Sequence, residues 1–240
     1  MEHIYPSRMG EDKQKKRVPF ITYFILAVTL LIQLFMILLS TDEYLRVYET
    51  YSLIPTLLLQ GVHIDSLLTY IFLHGSPIHL IVNSIALYGA GTIVEREIGH
   101  IKFLGAFITS GFVAGGVHSY LNPQSGIPLV GSSGAVFGII AIMFLLMPFK
   151  LTYALVVPMP SVIVGLMLTL VEVSALWLAN DPGVAHDVHL AGFFVGGLTA
   201  FMIDQKKAVK GLVISIIILV FLYFLGTYFN LIPPMGLPQI

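Results

Sequence analysis

Apolar residues fall in long runs along this chain, and polar residues gather in short clusters between them. A polar stretch at 1–18 carries Arg8, Lys13, Lys15, Lys16 and Arg17, and the next run, Phe20 to Leu39, holds no charge at all. About 20 apolar helical residues cross a bilayer, so this run predicts a first span. Residues 41–75 are mixed, with Asp42, Glu43, Arg46 and Glu49 among Tyr44, Tyr48, Tyr51 and Leu53. Such a segment predicts an interfacial loop with short amphipathic helices. Ser76-Pro77 marks a helix start, serine at the N-cap and proline at the first helical position. The second span then runs to about Val94 and is closed by Glu95-Arg96-Glu97.

Further runs follow at Ile101 to Tyr120, from Ser132 to just before Pro148, at Ser161 to Leu178, at Asp187 to Ile203 and at Leu212 to Phe229. Asn122-Pro123-Gln124-Ser125-Gly126 and Asn180-Asp181-Pro182-Gly183 read as turns. Residues 149–160 are too short to cross and read as a loop, and a short tail with Pro233 and Pro234 ends the chain. The pattern predicts an all-α polytopic membrane protein with seven transmembrane helices.

Composition sharpens the class. The chain is 57% hydrophobic and only 10% charged, against about 25% charged in a soluble domain. The net charge of -1 says nothing about nucleic acid; no basic patch with interleaved aromatics appears, so no nucleic-acid partner is expected, and the absence of cysteine excludes disulfides and thiolate chemistry. The first run is too long for a signal-peptide core and lacks a small-residue cleavage site, so it is expected to remain as a span. Charge placement sets an expected orientation. With the N-terminus inside, 11 of the 12 Lys and Arg residues fall inside and only Arg46 falls outside. The expected organisation is a cytoplasmic tail (1–18), a six-span core (19–204, with the long outer loop 41–75), and a basic linker, seventh span and short outer tail (205–240).

Even-numbered spans then all start at the outer face, which places His79, Ser133 and His189 in or near first turns at a similar depth. Gly134 with Gly138 and Gly192 with Gly196 form matching small-residue seams that let spans 4 and 6 approach closely. His189 is placed to take the Ser133 proton and return it to a leaving amine. The unpaired N–H groups of the first turn of span 4, beginning at Ser133, suit an oxyanion, and His79 and Asn83 add side-chain donors. No carboxylate is evidently placed to orient His189, because Asp187 faces elsewhere on its helix, so the expectation is a dyad. Glu172 lies within span 5, where an ionisable group is costly and often functional. The sequence assigns it no partner, and a neutral acid between helices is an equal alternative.

These residues resemble the rhomboid family of intramembrane serine proteases. The resemblance rests on Gly131-Ser132-Ser133-Gly134, on His79 with Asn83 one turn later, and on Ala191-Gly192 after His189 with Gly196 beyond. It covers about residues 20–204, and it implies a six-helix rhomboid-like catalytic core plus a seventh C-terminal transmembrane helix. It implies Ser133 as nucleophile, His189 as base, and His79 and Asn83 as oxyanion partners, with Gly131, Gly134, Gly192 and Phe137 in support. Phe137 stands where many members carry a tyrosine against which the imidazole packs, so stacking is expected without the hydroxyl. Asp65-Ser66 aligns with a Trp-Arg pair of many members, and Glu95-Arg96 resembles a structural acidic-basic pair. The implied activity is cleavage of membrane-anchored substrates near the outer face, without a cofactor or metal, with transmembrane proteins and the bilayer as partners. Ala179 to His186 is a candidate lid hinged at Gly183. Two rivals stand beside this reading. One is a divalent-metal transporter or metal-binding membrane protein using His63, His74, His79, His118, His186 and His189. It is disfavoured by few carboxylates and by polar residues confined to the outer half. The other is an inactive rhomboid-like binder, disfavoured because both Ser133 and His189 are present.

Overall fold

The chain is a multi-pass membrane protein built of helices. The computed structural model describes residues 17–153, 157–178 and 183–229. The tail before residue 17, the turn at Asn180-Asp181-Pro182 and the C-terminal segment with Pro233 and Pro234 lie outside the described residues.

Helix α1 (Phe20–Leu38) is followed by three short helices, α2 (Thr41–Tyr51), α3 (Pro55–Leu59) and α4 (Ser66–Thr69), and a 3-10 turn at Tyr70–Phe72. Then come α5 (Pro77–Ile98), α6 (His100–Leu121), α7 (Ser133–Leu146), α8 (Ser161–Leu178), α9 (His186–Ile203) and α10 (Gln205–Tyr228). Six of these helices are long and apolar enough to cross a membrane; α7 is shorter. The loop expected at 149–160 contains a two-residue antiparallel ladder, β1 (Leu151–Thr152) with β2 (Met159–Pro160), pairing Leu151 with Pro160 and Thr152 with Met159.

Local chemistry explains the boundaries. The Ser76 hydroxyl accepts the His79 N–H at 3.1 Å, with Pro77 at the first helical position, so α5 starts as its sequence signals. It ends at Gly99, whose φ of 89° few other residues adopt without strain. Helix α10 begins earlier than its apolar run, because Asp204 caps it by accepting the Lys207 N–H. That lets the lysine-rich turn be helical.

Helix α7 is the axis of the fold, packed by α5, α6, α8, α9 and α10. Its 14 residues span only about 21 Å, short of a bilayer core of about 30 Å. A helix apolar on every side must be enclosed by protein, and 12 of the 14 residues are buried. The two that are not are Ser133 and Phe137.

The expected seam is present between α7 and α9. A Cβ at Gly192 would collide with the Gly134 carbonyl oxygen, and one at Gly196 with the Gly138 carbonyl oxygen. Only glycine permits backbones to approach this closely.

At one end of the bundle, Glu95 is fully buried and accepts from Ile21 N, Thr22 N and Thr22 Oγ1 at 2.6–2.9 Å. The two backbone N–H groups are orphan donors of the first turn of α1, where an anion is stabilised. His100 Nδ1 adds a contact at 2.6 Å. Nearby, Arg17 donates to the Arg96 carbonyl and Lys207 pairs with Glu97 at 2.9 Å.

The segment 41–75 forms short helices as expected and is pinned to the centre. Leu53 and Leu129 exchange backbone hydrogen bonds, Gly131 N donates to the Tyr70 carbonyl, and the buried Tyr70 hydroxyl donates to the Gly111 carbonyl. This holds the strand of chain leading into Ser133.

Candidate active site

The N-terminal turns of α5, α7 and α9 meet around a cavity of about 1400 Å³. Its lining includes His79, Asn83, Ser133, Phe137, His186 and His189. The even-span parity read from the sequence therefore has a structural counterpart: three helix starts converge on one space.

Ser133 is the first residue of α7, after Ser132 at the N-cap. The turn before it requires glycine. Gly131 has a φ of 123°, and a Cβ there would lie 2.7 Å from His79 Cε1. This close approach brings the His79 ring against the loop that presents Ser133. The Val136 N–H is the first to bond back, to the Ser132 carbonyl at 2.9 Å. The amides of Ser133, Gly134 and Ala135 precede it, at the positive end of the α7 dipole. Asn83 is buried, and its Nδ2 donates one N–H to the His79 carbonyl at 3.0 Å; an amide carries a second.

His189 stacks flat on Phe137, with ring centroids 4.3 Å apart and planes 6° from parallel. The phenylalanine thus supplies a ring face without a hydroxyl. Among the described residues no hydrogen bond joins Ser133 Oγ to His189, and both side chains line the same cavity.

One expectation is corrected. A carboxylate does stand behind His189: Glu172 Oε1 lies 3.0 Å from His189 Nδ1, and Glu172 Oε2 lies 2.6 Å from His186 Nδ1. The His186 contact is a hydrogen bond; the His189 contact is close but off the ring N–H direction. Sequence alone missed this because it fixes neither the rotation of α8 nor that of α9. The available signal was that Glu172 lies near the end of one antiparallel helix and His189 near the start of the next.

Asp187 points elsewhere, as expected. It accepts from Asn122 Nδ2 at 3.0 Å and from Val188 N at 3.0 Å, and pairs with His118 Nδ1 at 2.8 Å. This ties the start of α9 to the end of α6. His74 is buried beside the site, its Nε2 3.5 Å from Ser132 Oγ and its ring edge-on to His79. Burial first, then the neighbouring His79, pushes the His74 imidazole down to about 4 from 6.5. It therefore stays neutral near pH 7.

The six outer histidines do not gather into one centre. His63 is exposed and does not line the cavity, and His118 is engaged by Asp187. Glu172, His186 and His189 are the one group among the described residues whose ligand atoms all lie within 4.8 Å of one another. The Glu172 oxygens lie only 2.6 and 3.0 Å from the two ring nitrogens. Donors around a tetrahedral zinc at about 2.1 Å stand about 3.4 Å apart, so the trio fits a metal poorly as it stands. Of the expected lid, Gly183, Val184 and Ala185 line the cavity, and residues 179–182 lie outside the described residues.

Comparison with known proteins adds a family. Residues 63–206 match the model of the Rhomboid domain. The chain is 34% identical over 137 residues to RHOMBOID-like protein 4 of Arabidopsis thaliana, covering 57% of this chain and 33% of that protein. It is 27% identical over 146 residues to Putative rhomboid protease YdcA of Bacillus subtilis (strain 168), covering 59% of this chain and 68% of that one. Rhomboid protease GluP of the same organism is 42% identical over 72 residues, covering 30% of this chain and 14% of its own length.

Proposed function

The chain belongs to the rhomboid family, and from that premise we propose that it is an intramembrane serine endopeptidase with Ser133 as nucleophile and His189 as general base. The observation that carries this reading is the exposure pattern of α7. In a helix otherwise buried, the two residues that keep exposed surface are Ser133 and Phe137; both line the cavity, and Phe137 carries His189 on its ring.

In the proposed reaction the substrate carbonyl lies against the first turn of α7. The Ser133 Oγ attacks it while His189 accepts the hydroxyl proton. The negative charge that develops on the carbonyl oxygen meets the Ser133 N–H, the free Asn83 N–H and the His79 ring. Each such donor is worth about 2.7–4 kcal/mol of barrier. His189 then protonates the leaving amine, and water entering the cavity hydrolyses the acyl-enzyme by the same steps in reverse order. A peptide bond in a bilayer-embedded helix is closed to this attack, so substrates are transmembrane segments with small or helix-weakening residues near the cleavage point. The proposed orientation places the N-terminus in the cytoplasm and the cavity toward the outer face, following the cation distribution.

The test is cleavage of a reporter transmembrane segment by purified protein in detergent. Wild type should cleave; Ser133→Ala and His189→Ala should each abolish cleavage while keeping the wild-type unfolding temperature. Cleavage that survives either substitution in a folded protein would remove that residue from the mechanism.

A further inference from the structure

The dyad accounts for Ser133 and His189 but leaves unexplained a buried carboxylate that stands behind two cavity-lining histidines, His186 and His189. Glu172 is 5% exposed, in a helix of otherwise uncharged residues. A carboxylate so placed is costly unless it is engaged, and ionisable groups within spans are by default functional. Its two oxygens are divided between two imidazoles, Oε2 to His186 and Oε1 to His189, and both contacts reach Nδ1. The His186 ring stands perpendicular to that of His189.

We propose that Glu172 is a positioning residue for the catalytic base: its carboxylate holds the Nδ1 side of His189, leaving Nε2 as the nitrogen that meets Ser133 Oγ, while His186 anchors the carboxylate from its other oxygen. The inference rests on the serine-protease reading above and adds a third member to it. Glu172 stays ionised throughout. The proton leaving Ser133 Oγ resides on His189 Nε2 and passes to the leaving amine, so nothing is transferred to the carboxylate. Its contribution is to fix the tautomer and to face the imidazolium while it exists, which in a site sheltered from bulk water matters more than at a surface. Phe137 fixes the plane of the ring and Glu172 fixes its rotation within that plane. The titratable groups that face His189 are Glu172 from α8, His186 from its own helix and His79 from α5. Asp187 is turned away, toward His118 and Asn122.

The experiment compares wild type, Glu172→Gln, Glu172→Asp and Ser133→Ala in reporter cleavage and in labelling by a fluorophosphonate, across pH. Removing the carboxylate should lower kcat at least about tenfold with KM little changed. It should also move the acid limb of the kcat/KM profile to lower pH, because an unpaired imidazole gives up its proton more readily. Glu172→Asp should recover part of both. A purely structural glutamate would lower the unfolding temperature and leave the acid limb in place, which overturns the proposal. If Glu172→Gln does not fold, Glu172→Asp carries the test, and an acid limb and kcat equal to wild type overturn it. Zinc inhibition reversed by chelation, together with an unchanged kcat in Glu172→Gln, would instead make the trio a metal site. Wild-type labelling that persists in Ser133→Ala refutes the protease reading itself. Ser133-dependent labelling with an unaltered Glu172→Gln refutes only the role of Glu172.

Discussion

At the scale of single residues, the site depends on histidines in different protonation environments, and His74 shows this outside the spans. Its imidazole lies between the 3-10 turn and α5, buried against Ser132 and His79, and its pKa is held near 4 against 6.5 for the free side chain. The folded chain thus takes up this proton less readily than the unfolded chain does. The stability associated with a neutral His74 is present above pH 6.5 and is lost as pH falls toward 4. At about 1.4 kcal/mol per unit, this amounts to roughly 3 kcal/mol. His74→Gln cannot be protonated and should flatten the fall in unfolding temperature between pH 7 and pH 4. Other acid-sensitive groups act equally in both proteins and cancel in the difference. Parallel curves for the two proteins would show that His74 takes up its proton without cost. His74 sits against the serine loop, its Nε2 3.5 Å from Ser132 Oγ.

At the scale of helices, the seam between α7 and α9 is what brings His189 over the α7 N-terminus. Gly192 and Gly196 each sit against a backbone carbonyl of the facing helix, which cannot move aside as a side chain can. Gly192→Ala should cost at least about 1–3 kcal/mol, the usual range for overpacking, and should reduce cleavage by displacing His189. Gly116→Ala on α6 is the control: nothing lies within 4 Å of a Cβ there, and alanine in a helix is favoured by roughly 0.5–1 kcal/mol. Thermal unfolding in detergent separates them, and equal midpoints would mean the seam is not tight. The seam was legible in the sequence because glycine spacing reports a helix face directly. The ends of α8 at Ser161 and Leu178 were legible too, from the apolar run and the turn residues beyond it. Two features were not. The β1–β2 ladder is too short to carry an alternating pattern, and the pairing of Glu172 depends on how α8 rotates against α9, which an apolar helix does not reveal. The shortness of α7 was readable in its length but not in its consequence, that five neighbouring helices must enclose it.

At the scale of the whole molecule, side chains divide by end and by depth. Exposed apolar residues such as Leu34, Trp177 and Phe221 ring the bundle where lipid would cover them. Arg17, Arg96 and Lys207 come together at the end where α5 finishes and α10 starts. The cavity opens at the other end, where α5, α7 and α9 begin. The membrane potential and insertion machinery act on such an asymmetry, favouring retention of the basic end inside. The orientation can be read directly, because the native chain has no cysteine. Gly126→Cys lies on the cavity side in an exposed turn with open space around its Cβ, and Lys210→Cys lies on an exposed face of the basic end. In intact cells a membrane-impermeant maleimide should label Gly126→Cys, and should reach Lys210→Cys only after the membrane is opened. The reverse pattern would turn the molecule over. The cavity would then face the cytoplasm, and substrates would have to be sought among segments presenting their cleavage points on that side.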